Sequence, residues 1–570
     1  MEMKDNLKKA LMLLTGTQRK KSIVFIILLL ISSFFEILGI GLIFPLIEVI
    51  SNSENIKENI IFKSDFLADF INRNTNNVVH LFLALFAIIY IVKNIFLIFF
   101  YYWQNKFIWS IYQSISYRLL KNYIYEDIPF YYSRISSELL RNVFIESKNF
   151  SSLISSFLRI IVEVTIVFSI LLVLLFFNPK ITLLSLFVVV LAGLGFIILF
   201  KKKSYNLGIQ RQQLSGYQLK HLQEIFGAVK DIKIKNCEEI FLNIYHKIIS
   251  KFSRAAYLQS TISELPKIWL EVTFVLLFLF LMILINLGEA TFQNMLPSLG
   301  LFFVAAFRLI PSVNRILTAN QNIFYYLPSM EKIQDDLKNI KEKKLTIAKE
   351  KPISFNEKIE IKNINFTYPK TNQKILKNFS NEIKKNSFTL LRGKSGSGKS
   401  TLVDLIMGFI IPDKGKIMSD GYDINDSIRD WQKKISYVSQ SVFLLDDTIK
   451  KNIAFGVDEN SINNELVKSS IKLAALENFI NSLSGGLKTT VGEKGVRLSG
   501  GQLQRIGIAR ELYRQSDILI FDESTNALDE NSENEIMKCL KNISKTKTVI
   551  FISHKRELIK YCDHLIELDS

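Results

Sequence analysis

At 570 residues the chain has room for two or more domains, and its 49 % hydrophobic content with a mean hydropathy of +0.21 excludes an ordinary soluble enzyme of this size. The formal net charge of +18 fits either a nucleic-acid binder or a membrane protein whose cytoplasmic Lys and Arg face anionic lipid; the apolar runs below favour the second. Cys237, Cys539 and Cys562 are scattered and odd in number, which excludes a disulfide framework and a cysteine metal site.

Apolar residues concentrate before residue 320. Six runs of about 20 residues or more, the length that crosses a hydrocarbon core, fall at 22–50, 79–103, 155–177, 181–200, 268–287 and 296–319. The first is too long for a signal peptide and no small-residue cleavage site follows it. Lys8, Lys9, Arg19, Lys20 and Lys21 precede it and put the N-terminus in the cytoplasm; six crossings return the chain to that side.

Connection lengths alternate. Segments 104–149 and 201–264 are long, polar and poor in turn residues, whereas 178–180 and 288–295 are short. This spacing predicts helices that project well beyond the cytoplasmic face. The outer loop 51–78 spaces Ile60, Ile61, Phe62, Phe66, Leu67, Phe70 and Ile71 among charges. That pattern predicts an amphipathic helix, either on the outer membrane surface or packed without lipid contact.

Ionisable groups inside spans are costly and mark function; here they are Glu36, Lys93, Arg159, Glu163, Glu271, Arg308 and Arg315. Arg159 and Glu163, four apart, are expected to pair on one helix face. Arg308 and Arg315, seven apart, share a face across Pro311, a kink candidate, and neither has an acidic partner on its own helix. Facing a cavity with Lys93, they suit a phosphate-bearing substrate; snorkelling of Arg315 to the inner interface is the alternative.

The expected organisation is a membrane domain over 1–340, a basic linker over 341–355 and a second domain over 356–570, where short β-branched runs alternate with polar helices. Gly393-Lys-Ser395-Gly396-Ser397-Gly398-Lys399-Ser400-Thr401 follows a strand-like run and opens a helical one, the context of a phosphate loop. Its glycines let backbone N–H groups close around phosphate oxygens at a helix N-terminus. Lys399 is expected to reach the β- and γ-phosphates, and the Ser400 hydroxyl to ligate Mg²⁺. A buried strand then ends in Asp522 and Glu523; the first carboxylate suits Mg²⁺ and the second a general base on water. Between them, Ser499, Gly500, Gly501 and Gln502 precede a helical run, with Ser499 as its N-cap and the dipole aimed at an anion.

With these motifs in this order the chain resembles the ABC transporters of the exporter type, as a half-transporter. The resemblance implies an all-α six-helix transmembrane domain plus an α/β P-loop NTPase (ABC ATPase) domain, with ATP and Mg²⁺ as ligands. It further implies that Tyr368 stacks on adenine, that Gln440 touches Mg²⁺, and that His554 contacts the γ-phosphate. Asp529 would lie across a dimer interface, 491–495 would meet coupling helices, and loops 129–134 and 221–229 would transmit the stroke. Ser524 and Asn526 depart from the commoner family residues, and the chain stops at Ser570, so a last strand or hairpin is expected to be missing. Glu523 is present, which implies hydrolysis rather than binding alone. Each nucleotide would be sandwiched between one chain's phosphate loop and another's Ser499 helix, so the implied partner is a second copy in a homodimer.

A narrower resemblance rests on 307–315, 265–271 and 35–45, which look like the lipid-linked oligosaccharide flippases of bacteria. It implies a polyprenyl-pyrophosphate-linked glycan as cargo, a bacterial inner-membrane location with a cytoplasmic ATPase domain, and contact with membrane lipid. The second half shows neither the base-stacking aromatics nor the basic groove of a nucleic-acid motor, so no nucleic-acid partner is expected. A lipid A or phospholipid flippase and a drug or peptide exporter share the architecture, and a non-transporting regulator is the rival from another class.

Overall fold

The computed structural model describes residues 2–41, 78–177, 179–287, 292–341, 352–368, 374–394, 396–492, 495–525 and 530–568. The expected outer-surface helix, whose marking residues fall within 60–71, lies outside these residues. The chain divides into two compact units, Met1–Glu126 with Ser133–Lys344, and Asp127–Tyr132 with Leu345–Ser570.

The first unit is helical. After the short α1 (Glu2–Leu13) come α2 (Gly16–Gly41) and α3 (Val78–Ile124). Beyond the turn-length α4 (Ile128–Ser133), which as far as Tyr132 counts with the second unit, follow α5 (Ser136–Arg141), a π-helical turn over Asn142–Glu146, and α6 (Ser147–Phe177). The unit ends with α7 (Pro179–Gly227), α8 (Val229–Lys235), α9 (Glu238–Leu287) and α10 (Phe292–Lys341). Among the described residues a helix stands at each of the six expected positions, the first described as far as Gly41. Among the described residues, Ala87–Ile124, Ser136–Leu172 and Thr182–Gly227 are long and apolar enough to cross a membrane. Their outward faces carry Ile98, 71 % exposed, and Ile198, 75 % exposed, a cost in water but not against lipid tails.

The 47 residues of α3, 49 of α7 and 50 each of α9 and α10 correspond to about 70–75 Å at 1.5 Å per residue. That is more than twice the hydrocarbon thickness of about 30 Å, as the long polar segments predict. α10 packs on α6, α7 and α9 and runs as helix through Pro311. Polar residues join the helices beyond their apolar stretches. Asp336 accepts from the Tyr123 hydroxyl at 2.6 Å and from Asn142 Nδ2 at 2.8 Å. Glu146, fully buried, sits 3.7 Å from Arg141 and 3.5 Å from Arg211.

The second unit contains two sheets. β1 (Lys358–Thr367), β2 (Lys374–Lys384), β4 (Lys414–Ser419) and β5 (Tyr422–Asp423) form an antiparallel sheet in the order β2-β1-β4-β5. β3 (Phe388–Gly393), β6 (Ile435–Val438), β7 (Ile518–Asp522), β8 (Thr548–Ile552) and β9 (His564–Leu568) form a parallel sheet in the order β6-β7-β8-β3-β9. All five residues of β8 and the first four of β3 and of β7 are buried, the near-continuous apolar runs of strands covered on both faces. Parallel strands end together, so the ends of β3, β6, β7 and β8 share one sheet edge, where ligands of open α/β sheets bind.

Candidate functional site

Gly393 closes β3, and α11 (Lys399–Ile406) opens six residues later. The turn needs glycine twice for its backbone: Gly396 has φ +81° and Gly398, the N-cap of α11, has φ +93°, a region that costs a side chain about 1–2 kcal/mol. Gly393 is needed for space instead. A Cβ there would fall 2.5 Å from Ser397 Oγ and 2.6 Å from the Leu568 carbonyl. Lys399 is buried and folds its ammonium back over the loop, donating to the Gly393 carbonyl at 2.9 Å and the Lys394 carbonyl at 2.8 Å. Ser397 Oγ is buried without a hydrogen-bond partner among the described residues, while Ser400 is exposed in the first turn of α11. Ser395 lies outside the described residues. The Tyr368 hydroxyl lies 3.2 Å from Thr401 Oγ1, and the Tyr368 ring stands edge-on to Phe366 at 5.1 Å.

β7 delivers Asp522 and Glu523 to the same edge. The Tyr437 hydroxyl, from the neighbouring β6, donates to Asp522 Oδ2 at 3.0 Å. Burial pushes the Asp522 carboxyl above its ordinary range, the Tyr437 hydrogen bond opposes this, Glu523 raises it further and Lys399 pulls it down. Gln440 Nε2 donates to Glu523 Oε2 at 2.9 Å, and His554 Nδ1 lies 3.7 Å from Glu523 Oε1. Glu523 has φ +45°, an uncommon conformation for a side-chain-bearing residue and one found at functional sites. Its N–H donates to the Ile552 carbonyl at 3.1 Å. One edge therefore gathers a buried ammonium, two carboxylates, an amide and an imidazole, a set able to bind phosphate and activate water.

Sequence reasoning missed Asp404 and Tyr437. Asp404 lies one turn into α11, and burial raises its carboxyl to about 6, with Asp522 adding to the shift. The Tyr132 hydroxyl, from the short α4, donates to Asp404 at 3.3 Å and lowers it. Tyr437 was visible only as a neighbour of Gln440 in sequence; its strand's place beside β7 is what aims it at Asp522.

Ser499 caps α12 (Gly500–Tyr513), whose first turn holds Gly500 and Gly501. Its hydroxyl accepts from the Gln502 N–H at 3.2 Å, and Gln502 Oε1 accepts from the Ser499 N–H at 2.9 Å. This reciprocal box satisfies two of the helix's orphan donors and occupies the Gln502 side chain. Arg510 anchors the far end on the Asn452 carbonyl at 2.8 Å and the Phe443 carbonyl at 2.9 Å. Asp529 lies outside the described residues.

In the membrane unit the candidate cations Arg315 and Lys93 have different surroundings. Arg315 is not a lone cation: Nε lies 2.5 Å from Glu163 Oε1 and Nη2 donates to Glu163 Oε2 at 3.1 Å. Glu163 thus pairs across helices rather than with Arg159, because a guanidinium fork matches both carboxylate oxygens. Lys93 is buried with its ammonium over the Tyr90 ring, 5.0 Å from the centroid. Arg308 lies on α10, and its side chain is outside the described part of the structure.

Residues 22–307 match the family model for the ABC transporter transmembrane region, and 376–526 the model for ABC transporter. The chain is 32 % identical over 396 residues to the ATP-dependent lipid A-core flippase of Francisella tularensis subsp. holarctica, covering 68 % of this chain and 64 % of that protein. It is 41 % identical over 212 residues to the ATP-dependent lipid A-core flippase of Pasteurella multocida, covering 37 % and 36 %. The alignments thus span less than two thirds of either relative. A solved structure of a bacterial Atm1-family ABC exporter with ATP bound matches with a TM-score of 0.77 at 20 % identity, covering 97 % of this chain and 93 % of the other, which establishes the shared fold. The chain belongs to the ABC transporter family, with a helical membrane domain fused to a C-terminal α/β nucleotide-binding domain.

Proposed function

We infer that this chain is one half of an exporter that hydrolyses ATP at the edge of its parallel sheet to move an amphiphile across a membrane. The reading is carried by the convergence at that edge of Lys399, Asp522, Glu523, Gln440 and His554. The loop from Gly393 to Thr401, Ser395 included, receives the phosphates at the N-terminus of α11, and Lys399 exchanges its two loop carbonyls for phosphate oxygens. Tyr368 carries the adenine.

The donors fit a hard divalent cation. Ser400 offers an exposed hydroxyl and Asp522 a carboxylate, while Gln440 donates through its nitrogen and so leaves its amide oxygen for the ion. Mg²⁺ bound there supplies charge that offsets the phosphate oxygens. Glu523 takes the proton of the attacking water, with Gln440 and His554 orienting its carboxylate. Ser499, Gly500, Gly501 and Gln502 of a second copy close over the nucleotide, so the working unit is a homodimer, and Asp529 lies across its interface. The location is the bacterial inner membrane, with the nucleotide-binding domain in the cytoplasm.

For cargo, the reading is a polyprenyl-pyrophosphate-linked oligosaccharide, supported by the resemblance over 307–315, 265–271 and 35–45. A second reading, a lipid A-core glycolipid, is favoured by the names of the curated relatives. Both are phosphate-bearing glycolipids. The pairing of Arg315 with Glu163 neutralises one of the three cations that the first reading invokes. Proteoliposomes loaded separately with each labelled lipid, with Glu523→Gln as control, separate the two. Movement of only the lipid A-core substrate overturns the first, and no ATP-dependent movement of either overturns the glycolipid class.

A further inference from the structure

Two segments leave the ends of adjacent parallel strands side by side, since Asp522 pairs in register with Ile552. One runs through Glu523, Ser524 and Thr525; the other runs through Ser553, His554 and Lys555. A third element reaches both. Glu533, on the first turn of α13 (Glu530–Ile543), is 8 % exposed. Its Oε1 accepts from the Thr525 hydroxyl at 2.7 Å and from Lys555 Nζ at 2.8 Å, and its Oε2 accepts from the same ammonium at 2.6 Å. Thr525 stands two residues after Glu523, and Lys555 directly follows His554.

We propose that Glu533 is a positioning residue for ATP hydrolysis, which holds the Glu523 and His554 segments together and so sets the carboxylate–imidazole geometry at the sheet edge. This rests on the reading of Glu523 as the base. A buried carboxylate that accepts three short hydrogen bonds, two of them from a cation, is a stiff tie, and Lys555 supplies the counter-charge without which the burial would be costly. Glu523 needs such a tie because its backbone sits at φ +45°, a conformation that persists only where its surroundings hold it. Glu533 touches no reacting atom in this scheme; it acts through Thr525 and Lys555.

The test is steady-state ATPase of the full-length protein in lipid nanodiscs for Glu533→Ala, Glu533→Asp, Thr525→Val, Lys555→Met and Glu523→Gln, with nucleotide affinity measured on each. A displaced catalytic group costs about tenfold to a hundredfold in rate. Glu533→Ala is therefore expected to lose that much turnover while the KM for ATP and the nucleotide affinity stay within about twofold. Glu533→Asp should recover part of the loss, and Thr525→Val and Lys555→Met should each show a smaller one. Wild-type turnover in Glu533→Ala overturns the proposal. So does a parallel fall in turnover and nucleotide affinity, the mark of a damaged fold, if Thr525→Val and Lys555→Met then keep full turnover. Full activity in Glu523→Gln overturns the underlying reading instead, whatever the Glu533 variants do.

Discussion

The side-chain amide of Gln440 donates to the carboxylate of Glu523 at 2.9 Å. The contact joins the segment just after β6 to the end of β7, and it fixes which way the carboxylate faces. Because the amide spends its nitrogen on this bond, only its oxygen remains for a cation.

Glu523→Gln is therefore expected to keep nucleotide binding and lose about a hundredfold or more of turnover, the usual size of a general-base contribution. Gln440→Ala should lose less, with the loss growing as Mg²⁺ becomes limiting. Phosphate release at saturating ATP, run against a Mg²⁺ titration, reads both. A Glu523→Gln protein within threefold of wild type removes Glu523 from the mechanism.

Asp404 gives a pH signature in the nucleotide-free protein. Its carboxyl is raised to about 6, chiefly by burial, above the ordinary aspartate value. The folded state thus binds this proton more tightly than the unfolded chain does. The ionised form costs stability at neutral pH, and that cost disappears as pH falls through 6 toward 4. Asp404→Asn should be more stable than wild type at pH 7.5, by on the order of 1 kcal/mol once solvent screening is allowed for. The difference should fall to about half at pH 5 and vanish only below about pH 4. Equal melting-temperature differences at both pH values contradict this assignment.

The pair between Arg315 and Glu163 predicts non-additivity. Glu163 is almost buried, while Arg315 is partly exposed. Glu163→Gln and Arg315→Ala should each lower thermal stability, by about 1–2 kcal/mol, because each leaves a charge without its partner. The double variant should lose less than the sum of the two, and the coupling is read from a double-mutant cycle on melting temperatures. Simple additivity means that the pair contributes nothing.

The phosphate loop's glycines separate by cause. Gly393→Ala forces a Cβ against Ser397 Oγ and the Leu568 carbonyl, an overpacking expected to cost about 1–3 kcal/mol and to open the loop. Gly396→Ala meets nothing within 4 Å and bears only the penalty of its positive φ, about 1 kcal/mol. Melting temperature and ATP affinity should fall further for Gly393→Ala than for Gly396→Ala.

Much of this architecture is readable before folding. Six apolar runs, the glycine-rich turn between a strand and a helix, two carboxylates at a strand end and a serine at a helix start are all local patterns. Each depends on residues within a few positions of one another, where backbone geometry leaves few alternatives. The Ser499 and Gln502 box is such a case, since an N-cap and its third helical residue are neighbours in any helix.

What only the packed structure decides is which distant partner a charged side chain chooses. Glu163 has Arg159 one turn away, yet it binds Arg315, 152 positions distant, because α10 packs on α6 and presents a fork that fits both carboxylate oxygens. Tyr437 reaches Asp522 because β6 lies beside β7, and Glu533 ties the Glu523 and His554 segments because α13 begins beside two parallel strand ends. Periodicity assigns a residue to a face of its own element; the neighbour across that face is set by strand order and helix packing, through contacts that no local pattern encodes.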